Sequence, residues 1–221
     1  MKIRSLFIST ELPKDNELRQ FCLDNDINLI AESLLSFEAV EHTTEFKGEV
    51  IFFSSIRCFE FYKGNIQNKT LAVYGQGTAA KILKTNPDLK NQIDFIGEQT
   101  NDPATIAKDL VSWLGNRTIL FPLGSKSLKS ISKHIPKSQV EEEIVYETQL
   151  YPKIIKLVDV CVFTSPSNVE SYLQVNEKQN HTIYVAWGKS TYDKLTNLNF
   201  RVIMLLAESS YKSLIKNLVL L

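Results

Sequence analysis

The sequence has few of the residues that mark a disulfide-bonded, metal-bound or membrane-spanning protein. Its 221 residues include three cysteines and three histidines. The cysteines are odd in number, lack Cys-x-x-Cys spacing and lie in apolar runs, so we expect buried free thiols in a reducing cytosol rather than disulfides or zinc ligands. No run of about 18 apolar residues occurs, which predicts a soluble, cytoplasmic chain without a membrane-spanning helix.

Net charge is also missing, because Lys+Arg 25 balance Asp+Glu 25. Nothing global therefore indicates binding to nucleic acid. His42, His134 and His181 are far apart in polar surroundings, so we expect surface residues and no metal site. Gly75-x-Gly77 is only a weak match to a dinucleotide fingerprint, since Ala80 stands at the third glycine, and no P-loop motif occurs.

Short apolar runs alternate with helical patterns along the chain. This alternation predicts right-handed βαβ units, parallel sheets and the α/β class. Helical patterns occur, for example, from about Lys14 to Cys22 and at Ala79–Leu83, Ile106–Leu114 and Tyr211–Leu218. Strands are predicted at Ile3–Ile8, Val50–Phe53, Thr70–Tyr74, Ile93–Ile96, Thr118–Phe121, Val158–Phe163, Thr182–Ala186 and Arg201–Leu206.

An internal repeat is the most informative feature. The segment from Glu49 to Tyr62 is similar to the one from Asp159 to Tyr172, and Leu71–Thr78 is similar to Tyr184–Thr191. A third block, a helix beginning at Ile106, is similar to one beginning at Leu214. Three blocks in the same order predict two homologous α/β domains.

The position of the repeat also predicts how the chain is threaded. A strand and a helix precede the first copy, and the simplest topology leaves them with the C-terminal copy. We therefore expect a discontinuous domain 1 (1–30 and 155–221), a domain 2 (45–141) and two linker strands (31–44 and 142–154), with a hinged cleft between the domains.

Ser, Thr and Gly residues follow the strands that the repeat relates. Ligands bind at the carboxyl ends of parallel strands, where helix N-termini attract anions. The polar turns predict a site for carboxylate or phosphate groups, although each hydroxyl could instead cap its helix. The turns are Ser54-Ser55, Thr164-Ser165, Gly75-Gln-Gly-Thr78 and Gly188-Lys-Ser-Thr191.

Taken together, these blocks resemble uroporphyrinogen-III synthases over nearly the whole chain. The order and spacing of four short motifs carry the resemblance. They are Phe163-Thr-Ser-Pro-Ser167, Ala186-Trp-Gly-Lys-Ser-Thr191, Phe121-Pro-Leu-Gly-Ser-Lys126 and Ile144-Val-Tyr-Glu-Thr148.

The resemblance implies two flavodoxin-like parallel-sheet domains joined by a two-stranded β linker. It also implies an enzyme, a lyase that closes the linear tetrapyrrole hydroxymethylbilane to uroporphyrinogen III. Water is lost and the terminal pyrrole is inverted through a spiro intermediate. No cofactor or metal is implied, and we expect a monomer, with at most transient contact with the preceding enzyme of the pathway.

The resemblance further implies roles for individual residues. A tyrosine on the returning linker strand, Tyr146, is expected to assist departure of the hydroxyl group, although it could be only a cross-strand aromatic residue. Many members have Thr-Arg-Pro after the first strand, whereas this chain has Ser9-Thr-Glu-Leu-Pro13, so Arg57, Lys126 and Lys189 are expected to replace the missing cation. The expected substrate-binding residues are Ser54, Ser55, Arg57, Thr78, Lys126, Thr164, Ser165, Ser167, Lys189, Ser190 and Thr191.

Two other classes of function stay open at this point. A two-domain module that binds or senses a small anion would show the same turns without catalysis. An oxidoreductase that uses flavin or nicotinamide would show a similar order of strands and helices.

Overall fold

The computed structural model describes residues 2–42, 45–97 and 103–220. Two short 3₁₀ turns, Pro87–Asn91 and Ser132–His134, accompany the helices and strands. In chain order the elements are β1 (Ser5–Ile8), α1 (Glu17–Asp24), β2 (Asn28–Ala31), β3 (Leu35–Ala39), β4 (Val50–Phe53), α2 (Ile56–Phe61), β5 (Thr70–Val73), α3 (Gln76–Thr85), β6 (Ile93–Ile96), α4 (Pro103–Leu114), β7 (Ile119–Gly124), β8 (Val140–Leu150), β9 (Val160–Phe163), α5 (Pro166–Leu173), β10 (Ile183–Ala186), α6 (Lys189–Asn197), β11 (Val202–Leu205) and α7 (Tyr211–Leu218).

All eight predicted strands are present, and the differences lie at the ends of elements. The first helix begins at Glu17 rather than near Lys14, because Asn16 caps it and accepts a hydrogen bond from the Leu18 N–H at 2.9 Å. Strand β7 continues beyond Phe121 to Gly124, because its last residues stay paired with β8.

The chain forms two compact units. Unit 1 comprises 1–36 and 149–221, and unit 2 comprises 37–148. The two boundaries between the units fall inside β3 and β8. The domain boundaries expected from the sequence (1–30 with 155–221, and 45–141) stay a prediction, as do the linker segments 31–44 and 142–154, of which residues 43 and 44 lie outside the described part of the chain.

Unit 1 is built on a five-stranded parallel sheet with the order β11-β10-β9-β1-β2. The central strand β9 is buried at every position, as its uninterrupted apolar sequence predicts for a strand covered on both faces. Leu6, Ile8 and Val162 point into one apolar core, whereas Phe7, Cys161 and Phe163 point into a second core on the opposite face.

Unit 2 contains most of a six-stranded sheet with the order β3-β8-β7-β4-β5-β6. The strands from β8 to β6 are parallel. Strand β3 is antiparallel to β8, since Val40 donates to Val145 whereas Leu34 accepts from Tyr151. Side chains of β4 alternate between two cores, with Ile51 in one of them and Phe52 in the other.

The two sheets share one strand order. Counted from β4 in unit 2 and from β9 in unit 1, both follow 3-2-1-4-5, with β1 and β2 as the fourth and fifth strands of unit 1. The predicted α/β class with parallel sheets is confirmed. Counted in chain order instead, with β1 and β2 first, the strands of unit 1 follow 2-1-3-4-5, which is the flavodoxin order, and both arrangements are doubly wound. In each sheet the strand order reverses once. This reversal places the crevice where ligands bind beside strands 1 and 4, which are β4 and β7 in unit 2 and β9 and β1 in unit 1.

Candidate active site

Tyr146 crosses the carboxyl end of strand β7 in unit 2. Its backbone lies opposite Gly124, and the Ser125 N–H donates to the Tyr146 carbonyl at 2.9 Å. A β-carbon at position 124 would lie 2.4 Å from Cζ of Tyr146 and 2.6 Å from its hydroxyl oxygen. Only glycine leaves room there, so Gly124 lets the phenol reach across β7 towards helix α2.

The Tyr146 hydroxyl reaches the start of helix α2, close enough to Arg57 and Cys58 for both side chains to affect its pKa. The residue is 9% exposed, and its ring packs against Phe37 and Phe61 with centroid distances of 5.8 and 5.2 Å. Burial raises the pKa of Tyr146 to about 12, and Cys58 adds to the increase while Arg57 opposes it. The phenol is therefore protonated at neutral pH.

The guanidinium of Arg57 lies over an aromatic face. Its central carbon is 3.5 Å from the centroid of the Phe37 ring, which is a close cation–π contact. Stacking leaves the N–H groups in the guanidinium plane available to acceptors at its edge. Arg57, expected from the sequence as a substrate-binding cation, is thus held directly beside the phenol.

The pairing of β4 with β7 in unit 2 stops early because of a proline. Strands β4 and β7 pair through Val50–Ile119 and Ile51–Leu120. By alternation along β7, residue 122 would donate the next hydrogen bond to the Phe52 carbonyl, but Pro122 has no N–H. In unit 1 the matching bond exists, from the Ser9 N–H to the Val162 carbonyl at 3.0 Å.

The serines that follow β4 contact the thiol of Cys58. Ser55 caps α2, accepting a hydrogen bond from the Cys58 N–H at 3.3 Å, and its hydroxyl donates to the sulfur. The Ser54 hydroxyl also lies 3.3 Å from this sulfur. Ser55 therefore performs the capping role that the sequence left open, and both serines contact the Cys58 thiol, which lies beside Tyr146.

The corresponding turn in unit 1 is internally bonded. Thr164 N–H donates to the Ser9 hydroxyl at 2.9 Å, and the Thr164 hydroxyl donates to the Ser9 carbonyl at 3.0 Å. Ser165 caps α5 by accepting from the Asn168 N–H, and the Asn168 side chain also donates to it at 2.9 Å. These bonds give Thr164 and Ser165 structural roles, and Ser167 is half-buried on the first turn of α5.

Helices α3 and α6 begin at glycines and so have no side-chain cap. Gly75 and Gly188 occupy the N-cap positions. Thr78 and Thr191 both stand third in their helices, and their N–H groups donate to the N-cap carbonyls at 3.0 and 3.1 Å. The first N–H groups of an uncapped helix face outward, which suits an anion. Thr78 is half-buried, whereas Thr191 is 2% exposed.

The remaining predicted cations are exposed. Lys126 follows β7. Lys189, on the first turn of α6, forms an ion pair with Asp193 one turn later, and neighbouring Ser190 is exposed. A surface pair of this kind contributes little to stability and exchanges readily for another anion. Ser125, which the sequence did not single out, accepts a hydrogen bond from the Thr148 N–H at 3.0 Å.

The structure also locates the cysteines and histidines. All three cysteines are buried and free, as predicted, and burial raises the pKa of Cys22 to about 11. His134 and His181 are exposed, whereas His42 is half-buried and accepts a hydrogen bond from the Lys63 N–H at 3.0 Å. In the described ranges, no three His, Cys, Asp or Glu residues are grouped to hold a metal ion.

Phe37, Cys58, Pro122 and Gly124 belong to the site although the sequence did not predict a role for them. Phe37 and Cys58 carried no local signal, because apolar residues in a strand or a short helix are ordinary core residues. Pro122 offered one, since proline is rare inside a parallel strand and marks a position where pairing stops.

The fold and the site define a class of protein. Two doubly wound α/β units with parallel sheets define a protein of the α/β class, in which ligands bind at the carboxyl ends of the strands. None of the helices in the described ranges combines the length and apolar character that a membrane crossing requires.

Comparison with known proteins identifies the family. The chain is similar to the crystal structure of uroporphyrinogen-III synthetase from Helicobacter pylori (TM-score 0.65, 15% identity, covering 99% of both chains). It is also similar to a mutant uroporphyrinogen III synthase from the extremely thermophilic bacterium Thermus thermophilus (TM-score 0.56, 13% identity, covering 98% of this chain and 99% of that one). No curated protein sequence matches.

The family model described as uroporphyrinogen-III synthase HemD matches residues 25–216. The chain belongs to the uroporphyrinogen-III synthase family. It is a lyase of tetrapyrrole biosynthesis that closes hydroxymethylbilane to uroporphyrinogen III with loss of water and inversion of the terminal pyrrole. This assignment decides against the non-catalytic anion-binding module and the oxidoreductase.

Proposed function

We propose that Tyr146 is the general acid of this reaction. The observation that carries the proposal is the position of its buried phenol, which crosses the carboxyl end of β7 over Gly124 and lies beside Arg57. The hydroxymethyl group of the substrate must leave as water, and the pyrrole nitrogen supplies the electron pair that breaks the C–O bond. A proton donated to the departing oxygen lowers this barrier.

Tyr146 supplies the proton for this step, and Arg57 stabilises the charge that the proton leaves behind. Tyr146 gives its proton to the hydroxyl oxygen, the C–O bond breaks, and the products are water and an azafulvenium cation that keeps the pyrrole N–H. The phenolate that remains lies beside the Arg57 guanidinium, whose positive charge stabilises it. A pKa of about 12 keeps the phenol protonated before the step, so no fraction of the enzyme is lost to the wrong ionisation state at neutral pH.

We further propose that the uncapped helices bind carboxylates of the substrate. The starts of α3 and α6 present the N–H groups of their uncapped first residues. Thr78 stands at the same position of α3 as Thr191 of α6. A Cβ placed on Gly77 would find no atom within 4 Å, so there is open space above the start of α3. Many moderate donors suit a substrate with eight carboxylates better than one dense group of cations.

We propose further contacts with the substrate from Ser54, Ser55, Lys126, Ser167, Lys189 and Ser190. Thr164 and Ser165 are weaker candidates. The bonds of Thr164 to Ser9 and Asn168 must be exchanged before it can meet a ligand, which costs free energy. The serines beside Cys58 have weaker present partners, since a thiol is a poor acceptor.

The experiment that tests the role of Tyr146 compares the wild type with Tyr146→Phe. Hydroxymethylbilane is supplied by a coupled enzyme, and isomers I and III are separated by chromatography. We expect the variant to lose about 10²-fold or more in kcat with little change in affinity for product, as is typical for a general acid. Wild-type activity in Tyr146→Phe would remove the residue from the mechanism.

We also propose that the enzyme acts as a monomer in the cytoplasm. Three buried free thiols fit a reducing compartment. The mass of 25.2 kDa makes the oligomeric state easy to read by analytical ultracentrifugation. A stable dimer at micromolar concentration would contradict the proposal.

A further inference from the structure

Phe37 on strand β3 contacts both polar members of the site at once. Its ring face lies 3.5 Å from the central carbon of Arg57, and the Phe37 and Tyr146 rings meet edge to face at 76° with centroids 5.8 Å apart. These contacts lie within unit 2. One side chain therefore determines where both the guanidinium and the phenol ring lie.

Arginine needs such a support because its side chain has several rotatable bonds, and an unsupported guanidinium samples many positions. The Phe37 ring supports the guanidinium of Arg57, and the Tyr146 hydroxyl lies close enough to Arg57 for that charge to lower its pKa. A leucine at position 37 would fill most of the volume of the phenylalanine. It would not attract the cation, because it has no negative ring face.

We infer that Phe37 is a positioning residue of the active site, which holds the Arg57 guanidinium against the Tyr146 hydroxyl without touching the substrate. The inference rests on the proposed role of Tyr146. It adds that the guanidinium works only in the geometry that Phe37 provides, since charge stabilisation in an active site depends on preorganised placement.

Phe61 provides a matched control. Its ring also packs on Tyr146, with centroids 5.2 Å apart, but the Arg57 guanidinium stacks on Phe37. Phe37→Leu and Phe61→Leu remove one aromatic contact to Tyr146 each, and only the first also removes the cation–π contact. A purely structural role for Phe37 predicts the same behaviour from both variants.

The first measurement is kinetic. We expect Phe37→Leu to lower kcat about tenfold, the size expected for losing one cation–π contact, with a smaller change in KM. Phe37→Tyr, which keeps the ring face, should restore most of the rate. In an Arg57→Gln background, Phe37→Leu should lower kcat by no more than about a further twofold, because the cation that Phe37 holds is gone.

The second measurement does not depend on activity. With ¹³Cζ-labelled tyrosine, the Tyr146 resonance is assigned from its absence in Tyr146→Phe, and its shift reports how close the Arg57 guanidinium lies to the phenol. Phe37→Leu and Arg57→Gln should move it in the same direction, and Phe61→Leu should not. Phe37→Met serves as a second variant if the leucine variant folds poorly.

The inference is overturned if Phe37→Leu matches Phe61→Leu in both measurements. It is also overturned if the reductions in kcat caused by Phe37→Leu and Arg57→Gln multiply in the double variant. Its failure is distinguishable from failure of the proposed general acid. If Tyr146→Phe were fully active, the role of Tyr146 would fall, whereas the resonance would still show whether Phe37 holds Arg57.

Discussion

Asp159 and Ser5 form reciprocal hydrogen bonds to each other's backbone N–H at the start of two neighbouring strands in unit 1. The Ser5 N–H and hydroxyl donate to Oδ2 of Asp159 at 2.9 and 3.0 Å, and the Asp159 N–H donates to the Ser5 hydroxyl at 3.0 Å. Unit 2 repeats the arrangement with Glu49 and Thr118, whose N–H and hydroxyl donate to the carboxylate at 2.9 and 2.8 Å. A carboxylate thus ties strands 1 and 4 together in both sheets.

This relationship predicts an acid-sensitive contribution to stability. The pKa of Asp159 is lowered because the Arg4 and Ser5 N–H groups and the Ser5 hydroxyl donate to its charged form, in spite of partial burial. A lowered pKa means that the carboxylate stabilises the fold above its unfolded pKa and that this contribution disappears as the pH falls through the folded value.

Asp159→Asn should therefore lower the free energy of unfolding by about 1–3 kcal/mol at pH 7. The difference in unfolding free energy from wild type should begin to narrow below about pH 4, the ordinary pKa of an unfolded aspartate, and should close as the pH falls through the lower folded pKa. Urea unfolding at pH 7 and pH 3 measures both values. A gap of equal size at the two pH values would contradict the prediction.

The contact between Gly124 and Tyr146 predicts a specific loss of activity. A β-carbon at position 124 overlaps the phenol, so in Gly124→Ala the ring must leave its place beside Arg57. We expect a kcat as low as that of Tyr146→Phe and a loss of about 1–3 kcal/mol of stability from overpacking. Gly77→Ala is the control for stability, because no atom lies within 4 Å of the added carbon.

Full activity in Gly124→Ala would show that the phenol need not lie across β7 during the reaction. Combining Gly124→Ala with Tyr146→Phe separates the effects. The double variant should be no slower than either single variant, because both remove the same hydroxyl from the same place.

The high pKa of Tyr146 predicts its pH dependence. The phenol stays protonated until the pH approaches about 12, so the ratio of wild-type to Tyr146→Phe kcat should be constant from pH 6 to about pH 9.5. A ratio that fell with a midpoint below pH 9 would mean that a group with a lower pKa supplies the proton. Isomer-resolved rates at each pH give the ratio directly.

The same shift predicts an alkaline change in stability. Because burial raises the pKa of Tyr146 above its ordinary value of 10, the stabilisation from the protonated phenol is complete below pH 10 and is lost as the pH rises towards 12. Tyr146→Phe should lose less stability than wild type between pH 9 and pH 11. Thermal unfolding at these two values checks the difference.

Pro122 predicts the effect of closing the crevice. Pro122→Ala supplies the N–H that strand β7 lacks, and in unit 1 the matching bond from Ser9 is 3.0 Å long. We expect the amide at position 122 to be protected from hydrogen exchange. We also expect kcat to fall about threefold or more, because pairing of β7 with β4 narrows the gap beside Tyr146. Pro136→Ala, at an exposed turn, controls for the general effect of losing a proline.

Stability of Pro122→Ala should stay within about 1 kcal/mol of wild type, since the new hydrogen bond offsets the greater freedom of the unfolded chain. A freely exchanging amide at this position with unchanged kcat would contradict the interpretation of the crevice.

The roles of the polar turns show where reasoning from sequence stops. Ser55 and Ser165 cap α2 and α5, yet a serine before a helix has the same sequence signature whether it caps or binds a ligand. The distinction depends on whether neighbouring groups, such as Asn168 beside Ser165, satisfy the hydroxyl. Those neighbours are known only from the folded chain.

The sequence by itself determined the parallel α/β class and the duplicated unit, and its resemblance to a known family was enough to select Tyr146 as a candidate. Apolar runs such as Val50–Phe53 are typical of strands buried on both faces, and similar segments fold alike. Only the tertiary structure decided that Phe37, Arg57 and Gly124 surround the phenol, because sheet order, not sequence distance, brings β3, α2, β7 and β8 together at one edge. Contacts of that kind depend on ångström-scale placement, which residue types and their periodicity do not specify.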